Sequence, residues 1–162
     1  MMSEAEMIYR FLKKIITENT GISSCYFDDM DSKEVNSAGI YPSESQVDND
    51  RRLSDGSHIK RISHTVIIYN CKRDKRGLLD GRAELEKLRD VLETKHNTVM
   101  YFKGNDVSDK SDYTQCLNVG QVDLLSGIVR LGKNEHEIPR FSIRFSHKFT
   151  DMVPNNFICN MK

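Results

Sequence analysis

Two groups of acidic residues are the first places in this sequence that could carry chemistry. The group nearer the amino terminus consists of Asp28, Asp29, Asp31 and Glu34. Carboxylate oxygens are the ligands that Ca²⁺ and Mg²⁺ prefer, and acids followed by a lysine also occur in nuclease sites. The spacing lacks the glycine and the final glutamate of an EF-hand loop. We therefore interpret the group as a solvated acidic loop, with a small metal-dependent nuclease as the remote alternative.

The second acidic group contains Asp106, Asp109, Lys110 and Asp112, and its polar surroundings favour a surface loop. No phosphate-binding loop, dinucleotide fingerprint, nucleophile elbow or zinc-protease motif occurs in the sequence. The five histidines are far apart, and none has a partner at a metal-ligand spacing: His58, His64, His96, His136 and His147. The sequence thus predicts no catalytic residue, no metal site and no cofactor, and a protein that is not an enzyme.

The charge balance bears on the kind of partner. Lysine and arginine total 24, and aspartate and glutamate also total 24, so the formal net charge is zero. Proteins that bind free nucleic acid usually carry a basic surplus, so this class is disfavoured. A net charge near zero also weakens repulsion between copies of the chain, which permits self-assembly.

The cysteines and the amino terminus bear on the compartment. The four cysteines are widely separated and are predicted to be free thiols of a reducing compartment: Cys25, Cys71, Cys116 and Cys159. Glu4 and Glu6 precede the first apolar residues, which is unlike a signal peptide, and no apolar run approaches the ~20 residues that span a membrane. We therefore predict synthesis in a cytoplasm and no membrane partner.

Two amphipathic helices are predicted. Ser3 and Glu6 form a capping box, apolar residues recur at helical spacing over 7–16, and Gly21 is placed to end the helix. The second helix covers 78–95, with leucines repeating every three, four or seven residues. Each apolar stripe has to pack against another element, most simply one face of a sheet.

Strands are predicted between and after the helices. The segment 61–72 is rich in β-branched and aromatic residues, and 141–149 alternates apolar with polar residues so that one face is buried. Shorter strands are predicted at 24–28, 98–102, 113–118 and 121–131, and 39–42 is a brief apolar island whose proline suits a strand end or an edge. The chain predicts an α+β fold: a mainly antiparallel sheet with both helices packed on one face. We expect one domain over 1–150 and a tail over 151–162 that is extended or docked on a partner.

Six basic residues are candidates for contacts with a partner or a channel: Arg51, Arg52, Lys60, Arg61, Arg144 and Lys148. Four of them lie in or just after the polar stretch 43–58, whose length is typical of functional loops. The other two lie on the polar face of the last strand. At both places, contact with solvent alone is the alternative interpretation. A further basic cluster, Lys72, Arg73, Lys75 and Arg76, is interpreted as a turn at a strand end.

Several short segments occur in a particular order along the chain. They are AGIYP at 38–42, SDGS at 54–57, HTVIIY at 64–69, the helix at 85–92, GIVRLG at 127–132 and RFSIRF at 140–145. This succession resembles the tail-terminator and minor capsid proteins at the neck of tailed phages. The similarity spans 7–149, and the chain departs from the family in its acidic segment 28–37 and in the tail after Thr150.

The resemblance implies a structural virion protein of a tailed phage or a tail-like particle. Such proteins form rings, usually hexameric, that end polymerisation of the tail tube and join the tail to the head connector. The implied partners are copies of the chain itself, the tail tube protein and head–tail connector proteins, with DNA passing non-specifically through the ring. The implied location is the virion neck, after assembly in the bacterial host cytoplasm. A head-completion or connector protein, or another neck or tail-tube component, is the alternative.

Overall fold

The computed structural model describes residues 4–42, 46–47, 58–94, 98–103, 106–108 and 115–152. Within these ranges the chain forms two helices, α1 (Glu4–Asn19) and α2 (Gly77–Thr94), and one sheet. The strands are β1 (Ser24–Phe27), β2 (Ser37–Pro42), β3 (Gln46–Val47), β4 (His58–Asn70), β5 (Thr98–Lys103), β6 (Asp106–Ser108), β7 (Gln115–Leu124), β8 (Val129–Leu131) and β9 (Arg140–Met152).

The sheet is built around its two longest strands. β4 and β9 pair antiparallel along their whole length, from His58 opposite Met152 to Asn70 opposite Arg140. The strand order is β1-β2-β4-β9-β7-β5-β6, with β3 beside β4 and β8 beside β9. Only β1 and β2 pair in parallel among the described strands. The predicted α+β class with a mainly antiparallel sheet is therefore confirmed.

Both helices bury their apolar stripes on the same face of the sheet. The core contains Phe11 and Leu12 of α1, Leu88 of α2, and Ile67 and Ile143 of the central strands, all at most 1% exposed. These side chains belong to one continuous cluster. Because Ile67 lies opposite Ile143 in the β4–β9 register, both strands present the same face to the helices. The prediction that both helices cover one face is confirmed.

The close approach of α2 to the sheet depends on Gly81. A Cβ at this position would lie 2.6 Å from the Cys71 Sγ and 3.0 Å from the Tyr69 Cε2. Both distances are shorter than ordinary carbon contacts, so only glycine allows the helix to approach β4 this closely. Glycine lowers helix propensity by ~1 kcal/mol relative to alanine, and here packing outweighs that local preference.

The ends of α1 differ in detail from the prediction. The helix ends at Asn19, two residues before Gly21. The side chains of Asn19 and Thr20 donate hydrogen bonds to the carbonyls of Ile15 and Ile16, which satisfies acceptors that the last turn leaves open. Glu6 accepts hydrogen bonds from Arg10, and Ser3 of the predicted capping box lies outside the described residues.

Several strand predictions were wrong in extent. β6 lies inside the stretch that was predicted to be loop, and β7 is one strand with a register shift between Val119 and Gln121 where two were predicted. β9 continues to Met152, two residues into the predicted tail. The polar face of β9 is also less open than predicted: Ser142 and Ser146 are 7% and 9% exposed. Small hydroxyl side chains become buried there because β9 has strand neighbours on both sides.

Candidate interaction surface formed by three loops

Three loops meet at one end of the sheet, where β2 begins and β4 ends. The pairing register places Ser37, Asn70, Arg140 and Leu131 side by side across four strands. The chain therefore brings together the loop 28–36 before β2, the turn 71–76 after β4 and the loop 132–139 between β8 and β9. We call them the acidic loop, the basic turn and the hairpin loop.

The acidic loop is fixed to the sheet by a neutral amide. The Asn70 side chain, 1% exposed, donates through its Nδ2 to the carbonyl oxygens of Asp31 and Glu34, at 3.4 and 3.1 Å. Its Oδ1 is buried and has no hydrogen-bond partner among the described residues. Because main-chain carbonyls accept these bonds, Asn70 occupies no carboxylate of the loop.

Two tyrosines hold the other side of the acidic loop. The Tyr26 hydroxyl donates to the Glu34 carboxylate, and this hydrogen bond raises the pKa of the phenol above its ordinary value. Burial raises the pKa of Tyr41, whose hydroxyl lies near the backbone of Met30. The loop is bounded by Asp28 and Asn36, whose φ angles of 54° and 53° lie in the left-handed region that aspartate and asparagine tolerate. The segment is thus a loop with exposed carboxylates at Asp28, Asp29 and Asp31, as the sequence predicted, and tyrosine and asparagine side chains hold its backbone in place.

Asn134 connects the hairpin loop to the acidic loop. Its Nδ2 donates to the Ser32 carbonyl at 2.7 Å, while its Oδ1 accepts the backbone N–H groups of His136 and Ile138. The Ser32 hydroxyl donates in turn to the Glu135 carboxylate at 3.0 Å. One asparagine therefore shapes its own loop and binds its neighbour.

The basic turn contacts the opposite side of the hairpin loop. Arg73 Nη2 donates to the His136 carbonyl at 2.9 Å, and the Cys71 N–H donates to the Pro139 carbonyl at 2.9 Å. The turn closes tightly on the start of α2, since a Cβ at Gly77 would lie 2.0 Å from the Lys72 carbonyl oxygen. Residues of the turn and of the hairpin loop together line a cavity of about 340 Å³.

The acidic loop and the basic turn carry equal and opposite charge. Over 28–34, four carboxylates and one lysine give −3, and over 72–76, four basic residues and one aspartate give +3. Asp28 and Asp29 make no ion pair with any described residue, and the same is true of Lys72 and Lys75. All four side chains are exposed. The surface therefore has one acidic side and one basic side, with the hairpin loop between them.

One exposed apolar side chain lies next to the acidic loop, and another lies next to the basic turn. Phe27, 43% exposed, immediately precedes Asp28, and its ring meets Tyr9 of α1 edge to face at 5.5 Å between centroids. Beside this pair lies an open groove of about 430 Å³, lined by Ala5, Glu6, Tyr9, Arg10 and Phe27. Leu79, in the first turn of α2 after the basic turn, is 65% exposed.

The six basic residues predicted from the sequence lie elsewhere. Arg51 and Arg52 are outside the described residues. Lys60 and Arg61 are backbone positions of β4 opposite Thr150 and Phe149, and Lys148 lies opposite Ile62. Arg144 is exposed on β9, opposite Val66 and four residues along the strand from Arg140, which lies beside the three loops. None of the four described basic residues belongs to the three loops. The basic turn itself was interpreted from the sequence only as a turn at a strand end.

The residues considered for metal chemistry do not come together. No group of three or more histidine, cysteine, aspartate or glutamate side chains suited to a metal ion occurs within the described part of the chain. Asp106 begins β6, so the surface-loop interpretation was wrong there, and Asp109, Lys110 and Asp112 lie outside the described residues. His64 is exposed on β4, and His136 belongs to the hairpin loop.

The two described cysteine side chains are free thiols, as predicted. Burial raises the pKa of Cys25 to about 11 and that of Cys71 to about 11. A thiol reacts as its thiolate, so neither side chain is suited to be a nucleophile at neutral pH.

Comparisons with known proteins assign no family. The chain matches no known protein family, and no curated protein sequence is significantly similar to it. Among the described residues, neither helix combines the length and the apolar character needed to cross a membrane.

The side chains that organise the surface escaped the sequence interpretation. Asn70 and Asn134 belong to no motif, and a single asparagine is common at strand ends and in turns. The available signal was the turn-forming composition of residues 132–137, which indicates a loop but not its contacts.

Proposed function

We propose that the protein is a structural virion protein of a tailed phage or a tail-like particle. In this role it forms a ring at the head-proximal end of the tail, where it ends tail-tube polymerisation and joins the tail to the head connector. The proposal rests on the order of sequence segments described above. The structural observation that supports it is the one-sided fold: both helices cover one face, and two oppositely charged loops lie at one end of the sheet.

The edge of the sheet offers one surface for other subunits. β1 pairs only with β2 among the described strands, and on its other side the Tyr9 hydroxyl donates to the Cys25 carbonyl, which leaves the backbone N–H and C=O groups of Phe27 at the edge. Such an edge can pair with a strand of another chain, and the main-chain hydrogen bonds then contribute to association.

The face without helices offers a second surface. Val66 and Ile68 are half-buried, and Arg144 is exposed between the buried Ile143 and Phe145 of the same strand. In a ring, this face is suited to the tube, the connector or the lumen, where Arg144 would meet passing DNA weakly. Weak, non-specific contact suits transit because basic side chains bind phosphates regardless of sequence.

Electron microscopy of the purified protein tests the ring directly. We expect rings in negative stain, with a mass near six times the 18.7 kDa of one chain. Monomers alone, even in the presence of tail tubes, would contradict the proposal.

Tail length in particles lacking the protein tests its role within the neck. Loss of a terminator gives tails of irregular length, because nothing ends tube growth. Tails of normal length that stay unattached to heads would instead assign the protein to the head side of the junction.

A further inference from the structure

We propose that copies of this chain bind one another head to tail through two different patches. The acidic patch consists of Phe27, Asp28 and Asp29 with the groove beside Tyr9. The basic patch consists of Leu79 and the basic turn. This contact deepens the proposed function, because it specifies the interface between subunits of the ring. That the resulting assembly closes into a ring rests on the proposed function.

The apolar half of the contact joins Leu79 to the groove. Leu79 is 65% exposed on a helix whose Leu85, Leu88 and Leu92 are fully buried, so it is the leucine of α2 that does not serve the core. The groove of about 430 Å³ is open and has the ring of Phe27 in its wall. Stable interfaces commonly place such an apolar anchor in a pocket and surround it with polar residues.

The charged residues of the two patches lie next to Leu79 and its groove. Asp28 and Asp29 follow Phe27 directly, and the basic turn directly precedes the first turn of α2 that carries Leu79. When Leu79 of one copy enters the groove of the next, Lys72 and Lys75 approach Asp28 and Asp29. Complementary charges of this kind set the register of an interface and speed its formation more than they raise affinity.

The two patches lie on different parts of the fold. The acidic patch belongs to β1 at the edge of the sheet and to α1, whereas α2 packs over the central strands, with Gly81 against Tyr69 and Cys71. A contact between two different patches leaves one free patch on each partner. Further copies can therefore add until the assembly closes, which is the condition for a ring.

The charge distribution favours a second copy of the chain as the occupant. The chain is neutral as a whole, yet it presents −3 on one loop and +3 on another. A nucleic acid would complement only the basic patch and would be repelled by the acidic loop on the same surface. A copy of the chain complements both patches at once.

Mass photometry of point variants at low and high salt tests the contact. We expect the wild type to form oligomers at about 50 mM salt and to associate more slowly and more weakly at about 500 mM, since screening weakens exposed charge pairs. Leu79→Ser, Asp29→Lys and Lys75→Glu should each weaken association by about tenfold or more. The matched controls are Leu125→Ser, at an exposed leucine outside both patches, and Glu93→Lys, with the same charge change as Asp29→Lys; both should associate like the wild type.

Mixing two variants gives the decisive result. Asp29→Lys and Lys75→Glu carry opposite charge reversals on opposite patches. In an assembly where the two variants alternate, there are two kinds of contact. At one, the reversed acidic patch of Asp29→Lys meets the reversed basic patch of Lys75→Glu. At the other, two unaltered patches meet. We expect the mixture to recover oligomers that neither variant forms alone, while circular dichroism shows each variant folded.

The outcomes separate this inference from the proposed function. Rings that persist in all three variants would overturn the contact and leave the ring proposal standing. A wild type that stays monomeric at every salt concentration would overturn the contact, and assembly on tail tubes would then decide the function separately. A monomeric wild type that binds a duplex DNA probe through Lys75 would assign the basic patch to nucleic acid and overturn the contact as well.

Discussion

Most charged side chains on the two helices pair with opposite charges, whereas several of those in the acidic loop and the basic turn do not. The helical ion pairs are Glu6–Arg10, Lys14–Glu18, Arg82–Glu86, Glu84–Lys87 and Arg89–Asp90. Arg76 of the basic turn pairs with Asp80 of α2, and Lys133 pairs with Glu137 within the hairpin loop. In the loops, Asp28, Asp29, Lys72 and Lys75 make no ion pair with any described residue. Helical periodicity places charges one turn apart, so the pairs form within a single element.

The contrast separates helix surfaces whose charges pair within one copy from two loops whose charges we propose to be paired by a second copy. On the helices, every such pair offers little to a partner, because breaking it would cost as much as a new pair gains. In the loops, the side-chain amides of Asn70 and Asn134 bind main-chain carbonyls, and the charged groups of Asp28, Asp29, Lys72 and Lys75 make no ion pair with any described residue. The core side of the molecule thus stabilises the fold, and the loop surface is suited to binding.

The largest effect should come from the helix side. Leu88→Ala removes a fully buried side chain from the core and should lower the free energy of unfolding by ~3 kcal/mol. Leu79→Ala, at the exposed leucine of the same helix, should change it by less than ~0.5 kcal/mol. Urea denaturation measures the free energy of unfolding of each variant. If both substitutions lower it equally, Leu79 serves the core, and its proposed contact with a partner is contradicted.

The next effect concerns pH and the thiol beneath α2. Burial raises the pKa of Cys71 from 9.0 to about 11, so the folded protein keeps this proton to higher pH than the unfolded chain. The free energy of unfolding should therefore be unaffected by this group below about pH 9 and fall between about pH 9 and 11, on the order of 2 kcal/mol. In the Cys71→Ala variant, the free energy of unfolding should fall less over the same pH range. If it falls as much as in the wild type, other titrating groups cause the effect.

A smaller, local effect should follow from Asn70→Ala. The variant removes the two hydrogen bonds to the acidic loop and should lower the free energy of unfolding by ~1 kcal/mol. Hydrogen exchange should accelerate at the Glu34 N–H, which donates to the Asp31 carbonyl within the loop. Asn19→Ala, at the exposed end of α1, is the control and should leave exchange at Glu34 unchanged.

The smallest effect tests the charge contrast itself. Arg82→Ala breaks an i,i+4 pair and should cost ~0.3–0.5 kcal/mol of unfolding free energy at low salt. Asp29→Asn removes a carboxylate without an ion-pair partner and should cost nothing measurable. If Asp29→Asn proves the more destabilising of the two, the acidic loop depends on an intramolecular charge pair, and the contrast is wrong.

Particular elements show how far the sequence alone could predict the fold. The repeat of leucines in α2 and the alternation along β9 identified both elements and their buried faces, since these patterns follow from local geometry. β6, with three residues in a polar stretch, had no such pattern, and β7 was divided in two where the strand only shifts its register. Boundaries were less predictable than elements because neighbouring strands decide where a strand ends.

The candidate surface was predicted only in its parts. The acidic group and the basic cluster Lys72–Arg76 were recognised as charged segments, but nothing in the sequence indicated that the hairpin loop lies between them. The six basic residues chosen as contacts were selected for loop length and strand alternation, and none of the described ones lies in the three loops. Leu79 was assigned neither to the apolar stripe of α2 nor to a contact, and its 65% exposure follows from how α2 packs on the sheet.

By itself, the sequence determined the α+β class, the two amphipathic helices and the central strand pair, because periods of 3.6 and 2 residues arise from the backbone of each element. Only the tertiary structure decided that the acidic loop, the hairpin loop and the basic turn share one surface. The bonds that join them link residues 63 to 103 positions apart, from Arg73 to His136 and from Ser32 to Glu135. Contacts over such separations depend on the strand order, which no local pattern encodes.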